Sequence, residues 1–370
     1  MKVGLLELDH YEMGYSIIKT LEYNNHNIWV FTTNKLNDRF QAALKKSSNI
    51  IFVNKTDEES IITFYKRMAD CLLKEELNTL WVNTIEYEFE AFASMISSLK
   101  CKKILTIHNA NFWFDYSKLF FTKSYRANKY KMRLLKQMDA YVALSNNVMN
   151  YIIDRFHLRK KMFVFPYSIF EEDQAVSIEN VNYKLVVPGA VDVMRRDYDF
   201  ILKVYQKLNV EISNLELVLL GPPKGDYGEG IIKIAQSINR SGGKVTWFNG
   251  EVNQKEFDSQ ILSCSLIISP LQKQIGGEQY GKSKETGCFF DMVRYAKPGI
   301  VPNYVPVPFN MNSSILSYNN EIDLIMLVKS ILCHPKRKSE LNHFAKLNSK
   351  KFSVENLRNE TEGVIKYVLS

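Results

Sequence analysis

Short, wholly apolar runs alternate along this chain with longer segments of helical periodicity. Residues 2–8 (KVGLLEL) read as a buried strand closed by Asp9-His10-Tyr11-Glu12. A helical pattern through Ile17, Ile18 and Leu21 follows, Asn24-Asn25 stop it, and residues 27–33 (NIWVFTT) form a second strand. This β-α-β unit of roughly 30 residues opens a doubly wound domain. Further strands are expected at 49–53, 79–83, 103–108, 139–143 and 163–165, with helices at 58–73 and 87–98. A second series starts at residue 184. Its strands fall at 184–187, 216–220, 244–248, 266–269 and 299–301, with helices at 197–208, 231–239, 254–263 and 287–295. From residue 321 onward the pattern is helical, over 321–332, 338–347 and 353–368.

The strand runs carry Val, Ile and Leu on both faces, which fits parallel strands covered on both sides by helices. The expected fold is therefore α/β, with two Rossmann-like doubly wound parallel-sheet domains facing across a cleft. The polar stretch 171–182 lacks periodicity and is the natural linker. It separates a first domain (1–170) from a second (183–350), and the closing segment 351–370 is a helix. Ligands of such sheets bind at the carboxyl ends of the strands. In the second series that edge is marked by Pro188-Gly189, Gly221-Pro222, Asn249-Gly250 and Pro270.

Composition agrees with this division. At 370 residues the chain exceeds one ordinary core, and 46% hydrophobic with 12% aromatic residues excludes extended disorder. The formal charge of +8 points to an anionic partner. Five scattered cysteines without a C-x-x-C spacing give neither a disulfide framework nor a zinc site, and read as free thiols in a reducing cytosol. The first apolar run is broken by Glu7 and Asp9, so no signal peptide is expected, and no run reaches the ~18–20 apolar residues of a membrane span. A cytoplasmic protein is the expectation.

Four segments could carry chemistry. In residues 279–302 (QYGKSKETGCFFDMVRYAKPGIVP), the loop with Gly281 and Lys284 runs into a helix start at Glu285-Thr286-Gly287. Unpaired N–H groups and the helix dipole favour phosphate there, with Lys284 as a mobile cation. Asp291, four residues after Gly287, shares that helix face and suits a ribose diol. The same residues also fit a solvent-facing loop and an ordinary amphipathic helix. Between strand and helix at 188–199 (PGAVDVMRRDYD), Arg195 and Arg196 suit diphosphate oxygens through forked hydrogen bonds. Adjacent residues cannot both point inward, so one of the two is expected to act, and a surface pairing with Asp192 or Asp197 is the competing reading.

His108 follows directly on a buried strand at its carboxyl end, within 104–114 (ILTIHNANFWF). His26, at the amino end of a strand, reads as structural. In 8–15 (LDHYEMGY) only Gly14 stands where a G-x-G-x-x-G loop would need three glycines, so NAD or FAD is not expected. Gly14 permits a close backbone approach to a ligand group, with Asp9, His10 and Glu12 beside it as potential bases. Asp197-Tyr198-Asp199 matches a D-x-D metal pattern but lies at a helix start, where acids cap; no metal and no cofactor are expected. Residues 118–136 hold seven Lys/Arg and no acid, interleaved with aromatics. They suit an anionic membrane surface or a lipid diphosphate, or form a solvated basic face; no nucleic-acid motif accompanies them.

These residues together resemble the GT-B glycosyltransferases, in particular the retaining, family-4-like enzymes of bacterial polysaccharide assembly. The likeness spans most of the chain and is strongest over 184–302. Asn25-His26-Asn27-Ile28 is similar to the family's Gly-His-x-Val turn, and Thr106–Asn109 (TIHN) to its element whose His contacts the donor sugar. PGAVDVMRRDYDFILKVY resembles the element whose cations hold the donor diphosphate, which implies Arg195 or Arg196. FNGEVNQKEF places Gly250 in the loop near the base, and DMVRYAKPGIVP puts Asp291 at the ribose-binding carboxylate. The E-x7-E pair departs from the pattern: its second Glu is Asp291, and its first falls near Ser283, between Glu278 and Glu285. The resemblance implies a nucleotide-diphosphate sugar donor on the second domain and a glycan or lipid-linked acceptor on the first. It implies a closing helix that packs back on the first domain. The basic segment 118–136 adds the inner face of the membrane as an expected place of work. Two alternatives share the fold: a nucleotide-sugar 2-epimerase, and a non-catalytic scaffold subunit.

Overall fold

A computed structural model describes the chain except residues 45–46, 86, 117–122, 167, 174, 176–182 and 274. Its elements up to residue 168 are β1 (Lys2–Leu6), α1 (Tyr11–Tyr23), β2 (Asn27–Thr33), α2 (Asn34–Ala43), β3 (Ile50–Lys55), α3 (Ile61–Lys74), β4 (Thr79–Val82), α4 (Phe89–Ile96), β5 (Lys102–Ile107), α5 (Ala110–Phe114), α6 (Lys123–Gln137), β6 (Ala140–Ala143), α7 (Asn146–Phe156) and β7 (Met162–Val164). Then come β8 (Tyr183–Pro188), α8 (Tyr198–Glu211), β9 (Leu215–Leu220), α9 (Gly225–Arg240), β10 (Val245–Trp247), α10 (Gln254–Leu262), β11 (Leu266–Ile268), α11 (Gly287–Arg294), β12 (Gly299–Pro302), β13 (Ile315–Tyr318), α12 (Glu321–Leu332) and α13 (Pro335–Lys350). The last helix is α14 (Val354–Leu369).

Seven strands form one parallel sheet in the order β3-β2-β1-β4-β5-β6-β7, and six form another in the order β10-β9-β8-β11-β12-β13. Central strands such as β1 and β9 are buried nearly end to end, because helices cover both faces. The strand order reverses between β1 and β4 in the first sheet and between β8 and β11 in the second. In such sheets these reversals are where ligands enter.

The chain divides into two compact units, Met1–Ser168 with Val354–Ser370, and Ile169–Ser353. The linker stretch 171–182 lies mostly outside the described residues. The last helix belongs to the first unit. His26 Nε2 lies 3.0 Å from Glu362 Oε2, Thr361 Oγ1 donates to Thr20 Oγ1 at 2.9 Å, and Asn24 Nδ2 donates to the Arg358 carbonyl at 3.0 Å. His26, 3% exposed, thus sits in the joint between α14 and the turn after α1.

Helix starts follow the side chains that cap them. Thr33, Ser60, Ser145, Asp197, Asn253, Thr286 and Asn320 each accept a hydrogen bond from the first turn of their helix. Asp197 of the D-x-D triplet is one of these caps. The strand β13 was not legible as a strand: at the sheet edge only Ile315 and Tyr318 of its four residues are buried, and it follows a long irregular stretch. Helix α9 starts six residues earlier than its periodicity indicates, because Gly225, Gly228 and Gly230 interrupt the apolar pattern. A Cβ at Gly228 would stand 2.7 Å from the Val191 carbonyl, so glycine lets this helix lie against the β8–α8 loop.

Candidate functional site

In the first unit the chemistry gathers where β1, β4 and β5 end. Glu7 follows β1 and is fully buried. Its Oε1 accepts from the backbone N–H groups of Asp9 (2.7 Å) and His10 (2.6 Å) and from Thr84 Oγ1 (2.8 Å), while Asn83 Nδ2 donates to Oε2. Burial raises the Glu7 pKa, opposed by the charge of His10 and these hydrogen bonds. His10 Nδ1 lies 3.1 Å from Asp9 Oδ2. Burial works against its charge, but the Asp9 hydrogen bond and the charges of Glu7, Asp9 and Glu12 outweigh it, so His10 titrates above an ordinary histidine.

His108 meets His10 edge to face, with ring centroids 4.1 Å apart. Its Nε2 lies 3.0 Å from the Asn83 carbonyl, which can only accept, so Nε2 carries the hydrogen. Burial and the neighbouring His10 charge hold the His108 pKa well below the usual value, so this imidazole is neutral at pH 7. The two histidines, Asn83, Thr84, Tyr87, Phe112 and Trp113 line a pocket of about 350 Å³.

Two other predicted residues stand differently. Gly14 lies buried inside α1, and a Cβ there would come within 2.9 Å of Glu7 Cγ and Phe40 Cζ. The close approach it permits is to its own fold, which corrects the reading of Gly14 as a ligand contact. Glu12 is held by Arg39 at 3.5 Å, across from α2.

In the second unit, Arg196 turns inward and Arg195 outward. Arg196 is 7% exposed, and its Nη2 lies 3.5 Å from the Sγ of Cys288, in the first turn of α11. Among the described residues it makes no ion pair with a carboxylate, and its Nε has no hydrogen-bond partner. Burial pulls its pKa down, but Cys288, Tyr198 and Tyr280 push it up further, so the charge persists. The space it occupies exists because residue 189 is glycine. Gly189 has φ +104°, and a Cβ there would sit 2.7 Å from the guanidinium. The Arg196 segment is pinned to the loop after β11 by Asp197 N–H donating to the Pro270 carbonyl (2.8 Å) and Gln272 N–H to that of Arg195 (3.0 Å).

Thr286 caps α11 through the Cys288 N–H, Glu285 before it is buried, and Gly287 is exposed. Lys284 is not the mobile cation expected: it is ion-paired with Glu278 and lies 4.9 Å over the Tyr280 ring. Asp291 sits further along α11, where its negative charge helps to raise the pKa of Tyr295 and Cys264; burial is the larger cause for both. Neither Arg196 nor Lys284 is ion-paired with Asp291 among the described residues. Gly250 lies in the exposed loop after β10, where a Cβ would meet nothing within 4 Å, so nothing in this unit requires glycine there. Among the described residues no group of three or more His, Cys, Asp or Glu is placed to hold a metal ion.

The chain matches no protein-family model and no curated protein. Solved structures do match over the whole chain. A glycosyltransferase from Rickettsia africae superposes with a TM-score of 0.68 at 13% identity, covering 100% of this chain and 98% of that one. HepE of Anabaena, solved with UDP and glucose, gives 0.66 at 11% identity and 99% of both chains. The UDP-GlcNAc 2-epimerase of Neisseria meningitidis, bound to UDP-GlcNAc, gives 0.62 at 12% identity and 100% of both.

The fold is GT-B.

Within a GT-B chain, Arg196 and the start of α11 occupy the β8/β11 reversal, and His10, Asn83 and His108 the β1/β4 reversal. The sequence reading missed Glu7, Asn83 and Gly189. Glu7 carried a signal, as a carboxylate set between Leu6 and Leu8 at the end of an apolar strand run. Asn83 carried none, because its contribution is a backbone carbonyl as much as a side chain. Gly189 was noted as a strand end, but not that Arg196 fills the space beside it.

The basic segment is partly described. Lys118, Phe120 and Phe121 lie outside the described residues. Over the rest, Arg126, Lys129, Arg133 and Lys136 are exposed along one stripe of α6, while Lys131 is buried with Nζ 3.5 Å from the Phe112 ring centroid. Lys131 Nζ donates to the Phe112 carbonyl at 3.0 Å. No described helix is long and apolar enough to cross a membrane.

Proposed function

We propose that this protein is a glycosyltransferase that moves a sugar from a nucleotide-diphosphate sugar to a glycan or lipid-linked acceptor in polysaccharide assembly. The observation that carries this reading is Arg196, a buried guanidinium without a carboxylate partner among the described residues, set against the first turn of α11. Two positive features facing each other out of water cost several kcal/mol unless an anion joins them. A diphosphate satisfies both, and it is the group that gains charge as the glycosidic bond to the donor breaks. Arg196 would thus stabilise the leaving group in the role a metal ion fills elsewhere, with Lys284 joining once drawn from Glu278. Asp291 would hold the ribose. The resemblance to family-4-like enzymes supports retention at the anomeric carbon, with the departing phosphate taking the acceptor proton. The acceptor would occupy the pocket of His10 and His108, whose neutral His108 suits a hydroxyl better than a phosphate. The cationic stripe of α6 would rest on an anionic lipid surface.

HepE was solved with UDP and glucose, which supports the donor class. A second reading has its own support: Glu7, Asp9, His10 and His108 form a titratable cluster suited to proton transfer, and a neighbour of this fold is an epimerase bound to UDP-GlcNAc. Calorimetry with UDP-, GDP-, ADP- and CMP-sugars tests both readings. Binding of at least one is expected, and binding of none overturns both. Incubating the bound donor without acceptor separates them: a transferase leaves its sugar configuration intact, and a 2-epimerase inverts C2.

A further inference from the structure

The Glu7 carboxylate joins three loops that the chain keeps far apart. It receives the N–H groups of Asp9 and His10 from the β1–α1 loop, and the side chains of Asn83 and Thr84 from the end of β4. Asn83 in turn receives His108 Nε2–H on its carbonyl, from the end of β5. Both imidazoles of the pocket are therefore one or two hydrogen bonds from a single buried carboxylate. It stands at the end of β1, where the strand order reverses, beside β4, whose next neighbour β5 carries His108. A fully buried carboxylate is costly, and fixing backbone only for packing would not call for one.

We propose that Glu7 is the positioning residue of this pocket, setting where His10 and His108 stand and which nitrogen of His108 carries the hydrogen. Its negative charge adds to those of Asp9 and Glu12 around His10, while Lys35 faces Asp9 and the His108 ring lies against His10. The inference concerns the pocket to which the acceptor was assigned and takes its functional weight from that reading. Its readout needs no ligand, so the two can fail separately.

The test is imidazole NMR of the full chain, following the ring signals of His10 and His108 against pH. In Glu7→Gln the Asn83 amide can rotate, because its Oδ1 has no partner among the described residues, and then accept from the new amide. The loops hold while the charge is gone. His10 should titrate at lower pH than in the parent, and His108 should keep its Nε2–H form. Glu7→Ala removes the tie itself, and His108 should then show both tautomers. Glu7→Gln combined with Asn83→Asp restores a donor opposite a carboxylate and should return the His10 midpoint toward the parent value. An unchanged His10 midpoint in a folded Glu7→Gln protein overturns the proposal. So does a single unchanged tautomer in folded Glu7→Ala. If Glu7→Ala does not fold, the Glu7→Gln and double-variant titrations decide alone.

Discussion

Arg196 and Cys288 lie 92 positions apart in the chain and 3.5 Å apart in space, the guanidinium of one against the thiol of the other in the first turn of α11. A thiol is a weak acceptor, so this contact leaves a buried cation largely uncompensated. The arrangement is costly in the free protein, and an anion placed there would offset that cost.

Replacing that cation should therefore separate stability from binding. Arg196→Met fills similar space without charge and should keep or raise the melting temperature, by up to ~1–4 kcal/mol of stability. It should also abolish the thermal shift produced by whichever nucleoside diphosphate stabilises the parent. A variant that still shows the parent's nucleotide shift would remove Arg196 from the site. Arg196→Lys should not rescue it, because an ammonium lacks the fork.

Gly189→Ala should reach the same site from beneath. The left-handed backbone there costs a non-glycine residue about 1–2 kcal/mol, and the added methyl meets the guanidinium. Denaturant unfolding should show that loss, and calorimetry a weaker nucleotide. Gly250→Ala is the control: with open space around its Cβ, it should change stability by less than ~0.5 kcal/mol.

Lys131 gives a pH dependence of definite sign. Burial lowers its pKa to about 8 in the folded chain. Between that value and the higher one it regains on unfolding, the unfolded state binds more protons, so its contribution to stability rises with pH. Below pH 8 the cost of keeping it charged is fully present. Lys131→Met should flatten the rise in denaturation free energy between pH 8 and pH 10 relative to the parent. An identical slope in both proteins would count against a buried ammonium.

The stripe of Arg126, Lys129, Arg133 and Lys136 makes the membrane proposal measurable. The parent should float with anionic liposomes at low salt and lose them as salt rises, since exposed charges are screened over about 10 Å at 0.1 M. Changing all four to Ser should abolish flotation without lowering the melting temperature. Flotation that persists in the quadruple variant assigns it to another surface.

Much of the architecture is local and therefore legible along the chain. Runs such as 216–220 read as strands covered on both faces, and Thr286 or Asp197 can cap a helix wherever it lies. The edge strand β13 escaped because half of its positions face outward and its pairing with β12 is not a local property. The site was less legible. Its residue types could be read at strand ends, which is why His108 and the two arginines stood out as candidates. Which arginine turns inward depends on the Gly189 backbone and on the loop after β11. Lys284 looked free because Glu278, six residues earlier, reaches it only through the bend at Gly281, whose φ is +73°.

What the sequence determined by itself was the succession of parallel strands and covering helices, because periodicity and capping act over a few residues. Only the tertiary structure decided that Glu7 joins His10 to Asn83, that Arg196 has no carboxylate partner among the described residues, and that Lys131 is buried under Phe112. Burial and pairing are set by groups far apart in the chain, and the charge state and orientation of a side chain follow from them.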